Sequence, residues 1–561
     1  MTEPLDTSPD RSRMGRLFHR YTPAVLLLLL CVMAFTQAVK ISAHADWPYL
    51  TDALRDIGMA QTILDGRYPE DSVLRGETLW YNPLTGALVA AVSRLSGLPP
   101  HAADVRMGAY LNLLLPLAFF LLASALFGRW TALISTAFLL LGNTQVQPIW
   151  LGVTYTPWLF APHLAQALFF FTLLLFWKAC QRDHWGWHTA TGVLWGLVFM
   201  THTAPAVIFG CILLITTACR LRTHMSLQDP RFSSRRLIAY ALLAILTAFV
   251  VSAPYHYSIL WNYRFRVINP WPGIYLETPL LLANLQSTLW QGLNLPTALA
   301  VLGLVTLALG KRPPAVRVLI LAWLAILLLF LGHSYASQGL RPRWQLPQLL
   351  PAHHFALSLN ALRSMLFGCG AMALAGGLLA LIRACFMRAQ KKTRRTAWQE
   401  PMAALLALAA LFAACGPGYP SWLEFTRPPE ERLPFAQIHQ DLVRCYDWTM
   451  AHCQPDDVFL SEESLALLVL EPAARKTVCP MLFYGSPYAD VLKRLNDREA
   501  MFDALRAKDE TRFHDLAKSR HVSFVLVQGR EKSLLEQAGF SCFQPAFESG
   551  PLSIFGYTPS N

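Results

Sequence analysis

The sequence predicts a polytopic α-helical membrane protein that carries a C-terminal α/β domain. Of its 561 residues, 54% are hydrophobic and only 15% are charged. Several apolar runs approach the ~20 residues that a helix needs to cross ~30 Å of hydrocarbon. After residue 418 these long runs end, and short apolar segments alternate with amphipathic ones. That alternation is typical of a small α/β domain.

Hydropathy predicts about eleven membrane spans. Their approximate ranges are 21–39, 107–126, 130–147, 160–177, 188–201, 204–219, 237–257, 292–310, 317–333, 363–382 and 402–417. The first span follows a short arginine-rich segment, a pattern that signal peptides share. Its long apolar core and the lack of a clean cleavage pattern favour a retained signal-anchor helix.

The basic residues indicate the orientation of the spans. The net charge is +12, and lysine and arginine collect in alternate connections. These connections hold Arg11 to Arg20, Arg129, Lys178 and Arg182, Arg220 to Arg236, Lys311 and Arg312, and Arg383 to Arg395. The positive-inside rule places them in the cytoplasm. The basic excess is therefore explained by topology and does not indicate nucleic-acid binding.

This orientation predicts the domain organisation. We expect a cytoplasmic tail at 1–20, a transmembrane domain at 21–417 with an outward loop at 40–106, and an extracytoplasmic domain at 418–561. The protein would be a multi-pass protein of the inner (plasma) membrane. Its N-terminus would be cytoplasmic and its C-terminal domain periplasmic.

The outward loop begins with an acid at the predicted lipid–water boundary. Asp46 lies beside Trp47 and Pro48, where an enzyme acting on a lipid-linked substrate needs a base. Six more acids follow, and we expect most of them to be solvated: Asp52, Asp56, Asp65, Glu70, Asp71 and Glu77. Apolar residues between positions 50 and 64 share one helical face with Asp52 and Asp56 opposite, which predicts an amphipathic interfacial helix. Residues 65–69 predict a turn, and residues 84–95 a segment that returns along the membrane surface.

The last part of the chain predicts alternating strands and helices. Strands are expected at 458–460, 476–478 and 523–527, and helices at 435–452, 488–495, 511–519 and 531–539. Four cysteines lie here, namely Cys445, Cys453, Cys479 and Cys542, and an oxidising compartment would permit disulfides. One continuous helix would keep Cys445 and Cys453 about 12 Å apart, too far to pair. Pairing with Cys479 or Cys542 stays open.

Polar and aromatic residues gather at the span ends that face outward. Besides Asp46 they are Trp80 to Leu84, Trp158, His163, His202, Tyr255 to Tyr257, Arg264, Arg266, His333, Arg341 to Trp344, His353 and His354. Aromatic residues in such positions commonly form the interfacial belt, and arginines bind lipid headgroups. A divalent metal is an open alternative. No pair among these outward-facing histidines has the i, i+4 spacing of a helical zinc motif, so no metal ligand is assigned.

The order of elements in the outward loop is more specific than any single residue. Asp46 is followed by the interfacial helix, the Asp65–Pro69 turn and Tyr81-Asn82-Pro83-Leu84. This order resembles the GT-C glycosyltransferases, which include protein mannosyltransferases, lipid A aminoarabinose transferases and mycobacterial arabinofuranosyltransferases. Thr201 to Pro205 is similar to a segment of some bacterial members. The chain departs from the family in having Trp47 after Asp46 instead of a second acid, and Tyr81-Asn82 instead of Glu-Lys.

The resemblance implies an enzyme that takes sugar from a polyprenyl-phosphate donor and gives it to a lipid, glycan or protein acceptor. It makes Asp46 the general base for the acceptor proton. Arg341 and Arg343 are the expected ligands of the departing phosphate, because an arginine fork matches phosphate geometry. The rest of the expected substrate site is Tyr81, His163, His202 and Trp344. A second catalytic carboxylate stays unassigned among Asp52, Asp56 and Glu77.

Two other functions fit the same hydropathy pattern. A lipid-linked saccharide transporter or flippase would carry charged residues deep within its spans. A non-catalytic envelope scaffold would use the C-terminal domain to bind a partner. The spans hold few charges at their centres, which favours the enzyme over the transporter.

Overall fold

The computed structural model describes residues 11–43, 45–48, 51–145, 152–182, 184–227, 233–269, 294–310, 312–344, 350, 352–386, 399–415 and 436–559. Its helices before residue 416 are α1 (Arg11–Ser42), α2 (Thr51–Leu64), α3 (Leu84–Ser96), α4 (Pro100–Leu111), α5 (Leu114–Phe127), α6 (Arg129–Leu141), α7 (Ala161–Gln181), α8 (Trp185–Thr201), α9 (Thr203–Leu227), α10 (Ser234–Val251), α11 (Ala253–His256), α12 (Leu295–Leu309), α13 (Pro314–Trp344), α14 (Ala352–Phe386) and α15 (Gln399–Cys415).

Within the described ranges, seven helical segments are long and apolar enough to cross a membrane. They are Tyr21–Ser42, Pro100–Phe127, Ala161–Gln181, Thr203–Arg222, Ser234–Val251, Pro314–His333 and His353–Cys385. Each predicted span overlaps a helix. Four of them fall on helices of only 13 to 17 residues, namely α6, α8, α12 and α15. The polytopic helical architecture is confirmed, and the number eleven stays a prediction.

The bundle is held together by large side chains that have no exposed surface. The rings of Phe119 and Phe170 are 5.2 Å apart between α5 and α7, and Phe169 meets Trp323 of α13 at 5.3 Å. Where α12 crosses α14, a Cβ at Gly370 would collide with a backbone carbonyl of α12. Small residues at such crossings let membrane helices approach closely, so van der Waals packing stabilises the bundle.

The C-terminal α/β domain contains a five-stranded sheet with the order β2-β1-β3-β5-β4. Its strands are β1 (Val458–Ser461), β2 (Lys476–Thr477), β3 (Val522–Gln528), β4 (Phe543–Ser549) and β5 (Leu552–Tyr557), and its helices are α16 (Ala436–His452), α17 (Glu463–Leu465), α18 (Val491–Ala507), α19 (Glu510–Arg520) and α20 (Gly529–Ala538). The parallel pairs β1–β2 and β1–β3 join antiparallel pairs β3–β5 and β4–β5. The three predicted strands are confirmed.

The hairpin of β4 and β5 was not predicted. Pro545 lies inside β4, and proline inside an apolar run argues against a central strand. The structure places β4 at the edge of the sheet, with an irregularity in its register between Pro545 and Phe547. An edge strand tolerates the missing N–H, because one side of it has no neighbouring strand to receive a hydrogen bond.

The helix α2 confirms the predicted element but not its expected surroundings. Its predicted apolar face packs against the α/β domain: Leu54 and Ile57 are buried with Leu467, and a Cβ at Gly58 would collide with the carbonyl oxygen of Glu471. Its opposite face packs against α3 and α4, where Ala60, Val89 and Ala103 are buried together. The helix is therefore covered on both sides, so the expectation of a solvated polar face is wrong, and its place in the membrane interface stays a prediction.

The loop acids bind the α/β domain, so the expectation that most are solvated is wrong. Asp65 lies 3.5 Å from Arg475, and Glu77 lies 3.9 Å from Arg494. Arg67 contacts both Glu70, at 2.7 Å, and Asp456, at 2.6 Å. The backbone N–H of Thr477 also donates to the carbonyl of Val73 at 2.9 Å. The acids hold the loop against the domain.

The four cysteines of the α/β domain are free thiols, and all are buried. Cys445 lies in the continuous helix α16 and Cys453 directly follows its end. The expected separation of these two is consistent with their unpaired state.

Candidate functional site

The centre of the candidate site is Arg55, which α2 carries into the space between the loop and the bundle. Its side chain is only 12% exposed. The guanidinium carbon lies 3.4 Å from the ring centre of Tyr81 and 5.9 Å from that of Tyr484 in the α/β domain. The nearest carboxylate atom, Oδ1 of Asp56, is 3.9 Å from its Nε, which makes no hydrogen bond with a described residue. Arg55 is thus a buried cation whose charge is only loosely balanced.

Tyr81 belongs to the Tyr81–Leu84 element, and the next residue, Asn82, ties that element to α8 and α9. The amide Nδ2 of Asn82 donates to the carbonyl of Phe199 at 2.5 Å and lies 3.2 Å from the hydroxyl of Thr203. That hydroxyl in turn lies 3.3 Å from the hydroxyl of Tyr255. Two segments that the sequence singled out separately, 81–84 and 201–205, therefore meet in the structure.

A group of histidines lies beside Arg55. The rings of His202 and His354 are 4.3 Å apart, and those of His353 and His354 are 3.8 Å apart. Arg55 is within electrostatic range of both His202 and His354. Imidazole N–H groups and a guanidinium together offer hydrogen-bond donors to an anion.

Two buried carboxylates lie on the other side of α2. Asp56 is 3% exposed and Asp104, in the second turn of α4, is 1% exposed. They are within electrostatic range of each other. Both carboxylate oxygens of Asp104 lack a hydrogen-bond partner among the described residues, and so does Oδ1 of Asp56. Burial raises the pKa of Asp56 to about 7, and neighbouring Arg55 opposes this shift only in part.

Asp46, the expected base, lies at the surface. Its side chain is 76% exposed and its carboxylate is 3.6 Å from the guanidinium of Arg106. Its backbone carbonyl accepts a 2.7 Å hydrogen bond from His101, whose ring stacks on Trp47 at 4.2 Å. Arg106 and Asp104 are two residues apart on α4, so they point to different sides of that helix. Asp46 therefore does not share the face that holds Asp104.

The remaining expected residues are placed as follows. Tyr81 and His202 come together at Arg55. His163 is buried, and neither of its ring nitrogens has a hydrogen-bond partner among the described residues. Arg341, Arg343 and Trp344 form the last turn of α13, and their side chains lie outside the described residues. Their expected role in binding phosphate stays a prediction.

A small cavity opens between the loop and the α/β domain at Arg55. It is lined by Arg55, Ser72, Trp80, Tyr81, Glu471 and Tyr484, among others. Ser72 donates a 2.7 Å hydrogen bond to the carboxylate of Glu471. Burial, together with the negative charge of Asp71, raises the pKa of Glu471 to about 7. Both the loop and the C-terminal domain thus contribute walls to the site.

Sequence reasoning missed Arg55 and Asp104, and only Asp104 had a signal. The Pro99-Pro100 pair marks a helix start at Pro100, since proline is favoured in the first turn. Extending the second span back to this point would have placed Asp104 inside an apolar helix, where an acid is by default a functional candidate. Arg55 had no such signal, because only the structure shows that both faces of α2 are covered.

Comparisons with known proteins rest on structure only. No family model and no curated protein matches the chain by sequence. ArnT of Cupriavidus metallidurans bound to undecaprenyl phosphate superposes with a TM-score of 0.56 at 12% identity, over 96% of this chain and 99% of that one. The apo oligosaccharyltransferase of Archaeoglobus fulgidus gives 0.52 at 14% identity, over 97% and 75%. Its complex with an inhibitory peptide and a dolichol-phosphate gives 0.52 at 13% identity, over 97% and 75%. The chain has the GT-C fold.

The fold and the long apolar helices together make this chain a multi-pass membrane protein. The expected resemblance is therefore confirmed for the fold. The sequence identities of 12–14% carry no residue roles, so those depend on the geometry of this chain.

Three potential metal-ligand atoms approach one another at only one place in the described part of the chain. Glu510, His514 and Cys542 bring them within 4.8 Å. The hydroxyl of Tyr557 lies 2.6 Å from Nδ1 of His514, which leaves Nε2 for a metal. Such a donor set suits zinc, and a partner on the second ring nitrogen is typical of a histidine ligand. The group lies in the α/β domain and contributes nothing to the lining of the Arg55 cavity.

Proposed function

We propose that this protein is a glycosyltransferase that moves a sugar from a polyprenyl-phosphate donor to a lipid, glycan or protein acceptor. The reaction would take place at the outer face of the inner membrane, with the α/β domain in the periplasm. The observation that carries the proposal is the buried Arg55, in contact with Tyr81 and near two histidines, inside the GT-C fold. Solved neighbours with this fold include one bound to undecaprenyl phosphate and one in complex with a dolichol-phosphate.

The chemistry needs a cation at the phosphate. The bond between the anomeric carbon and the phosphate oxygen breaks, and its electron pair leaves on the phosphate. A guanidinium stabilises that developing charge, and a buried position strengthens the effect because water is excluded. Arg55 supplies such a guanidinium at the described site. Arg341 and Arg343 are proposed to assist from the end of α13.

The acceptor must lose a proton as its oxygen or nitrogen bonds to the anomeric carbon. We keep Asp46 as the proposed general base, since it lies at the start of the outward loop next to α4. The guanidinium of Arg106 lies 3.6 Å from its carboxylate. Tyr81, His163, His202 and Trp344 complete the proposed substrate site.

A metal is a separate proposal. A solved structure of the archaeal oligosaccharyltransferase is a complex with Zn and sulfate. In this chain Glu510, His514 and Cys542 would hold a zinc ion, which would cross-link α19 to the chain before β4. No step of the proposed transfer passes through that ion.

The proposal is tested by comparing envelope glycolipids and glycoproteins of a deletion strain with those of its parent. A mass difference of one sugar, restored by the wild-type gene, is expected. Asp46→Asn should abolish the restoration while the protein is still inserted in the membrane at normal levels. Retained transfer would exclude Asp46 as the base. Saccharide translocation in reconstituted vesicles without a covalent product would instead establish a flippase.

A further inference from the structure

The burial of two carboxylates without hydrogen-bond partners, those of Asp56 and Asp104, is not explained by the stability of the fold. They come from different helices, α2 and α4, and both are at least 97% buried, as their relative exposures of 3% and 1% show. Three of their four oxygens have no hydrogen-bond partner among the described residues. An unsatisfied buried carboxylate destabilises a fold by several kcal/mol. A second negative charge nearby adds to that destabilisation.

The described surroundings hold one cation close to the pair. Nε of Arg55 is 3.9 Å from Oδ1 of Asp56, beyond hydrogen-bond distance. The other charged group that acts on Asp56 is Asp52, which is also an acid. The pair therefore holds acceptor atoms that no donor among the described residues satisfies. A ligand rich in hydroxyl groups would satisfy them.

The position of Arg55 identifies which hydroxyl groups these are. Arg55 and Asp56 are neighbours on α2, so one helix carries the cation and one of the two acids. In a glycosyl phosphate the sugar ring is attached directly to the phosphate. A phosphate held by Arg55 therefore brings the hydroxyl groups of that sugar within reach of Asp56.

We propose that Asp56 and Asp104 form a substrate-binding carboxylate pair that accepts hydrogen bonds from the hydroxyl groups of the sugar being transferred. This rests on the proposed function and deepens it, because it assigns the sugar to the α2–α4 side of Arg55. The second catalytic carboxylate stays unassigned: Asp56 was one of its candidates, with Asp52 and Glu77, and Asp104 was not.

The test combines three measurements on the full-length protein in detergent or nanodiscs: thermal unfolding, binding of polyprenyl phosphate without a sugar, and restoration of the envelope product in the deletion strain. Asp104→Asn keeps the shape and removes the charge. We expect its unfolding temperature to be unchanged or raised, its affinity for polyprenyl phosphate to stay within about twofold of wild type, and its product to fall at least tenfold. Asp56→Asn should behave in the same way.

Asp65→Asn is the matched control. Asp65 follows the last turn of α2, but its carboxylate accepts a 2.7 Å hydrogen bond from Gln61 and faces Arg475. This variant should keep its product, and its unfolding temperature should be unchanged or lowered. A structural role for Asp104 would instead lower the unfolding temperature of Asp104→Asn, and that result would overturn the inference.

Two further outcomes also count against the pair. Wild-type levels of product from Asp104→Asn would exclude a role in binding the sugar. Titration of the wild type with Mn²⁺ that reveals a site lost in Asp104→Asn would make the pair a cation site. A failure of the proposed function looks different, since the wild type itself would then neither bind polyprenyl phosphate nor restore any product.

Discussion

The guanidinium carbon of Arg55 lies 3.4 Å from the centre of the Tyr81 ring, and Tyr484 of the α/β domain lies on the same cation at 5.9 Å. Two segments more than 400 residues apart in the chain therefore meet on one arginine. The aromatic faces stabilise the positive charge without neutralising it. An arginine held in this way keeps its hydrogen-bond donors available for an anionic substrate.

This contact predicts how Arg55 and Tyr81 variants bind polyprenyl phosphate. Arg55→Lys keeps the charge but loses the planar fork, so we expect affinity to fall at least tenfold. Tyr81→Leu removes a cation–π contact of about 1–2 kcal/mol, which corresponds to a loss of about 5–30-fold. Tyr81→Phe keeps the ring and serves as the control. Equal affinity of Tyr81→Leu and wild type would show that the ring does not position Arg55.

The close contact at Gly58 predicts that the loop and the α/β domain form one unit. Because a Cβ at Gly58 would collide with the carbonyl oxygen of Glu471, Gly58→Ala must push the domain away from α2. Overpacking of this kind destabilises by about 1–3 kcal/mol. We expect faster proteolytic release of the α/β domain and a lower unfolding temperature.

The control for Gly58→Ala is Gly66→Ala at the end of the same helix, where no atom lies within 4 Å of the added Cβ. Gly66 has a φ of +72°, so this variant strains only its own turn. Its α/β domain should stay docked. Equal release of the domain from both variants would mean that the Gly58 contact does not hold the interface.

The burial of Arg55 and Asp56 could not be predicted from the sequence, although the helix that carries them could. Periodicity finds α2 because its apolar residues recur at helical spacing, but it cannot tell that α3 and α4 cover the face of α2 that carries Asp56. Asp56 was for that reason expected to be solvated, and Arg55 was not singled out. The hairpin of β4 and β5 was missed for a similar reason, because Pro545 is compatible only with an edge that topology creates.

The ion pair of Arg67 and Asp456 provides a contrast with the buried contacts. The two side chains are 2.6 Å apart, yet the carboxylate of Asp456 is 58% exposed. Exposed pairs contribute about 0.2–1 kcal/mol. We expect Asp456→Asn to lower the free energy of unfolding by less than about 1 kcal/mol and to leave transfer unchanged. Glu70 at 2.7 Å remains as a partner for Arg67, which limits the effect further. A loss larger than that of Gly58→Ala would contradict this ranking.

The buried carboxyl group of Glu471 predicts that the protein becomes less stable as pH rises. Its pKa in the folded protein is about 7, raised chiefly by burial and then by Asp71, whereas an unfolded glutamate has a pKa of about 4.3. Between these values the folded protein holds a proton that the unfolded chain has released, so stability falls as pH rises. The groups that face Glu471 and act against the shift are Ser72, Arg55 and Lys476.

Glu471→Gln removes the titration while keeping a partner for the hydroxyl of Ser72. We expect its unfolding temperature to equal that of the wild type at or below about pH 4 and to exceed it by a growing margin up to about pH 7. Because Asp56 has a similar pKa, part of the slope should persist in Glu471→Gln and disappear in the double variant with Asp56→Asn. A wild-type stability that rises between pH 5 and 8 and loses that rise in Glu471→Gln would show that Glu471 is stabilised as a charged group, opposite to the prediction.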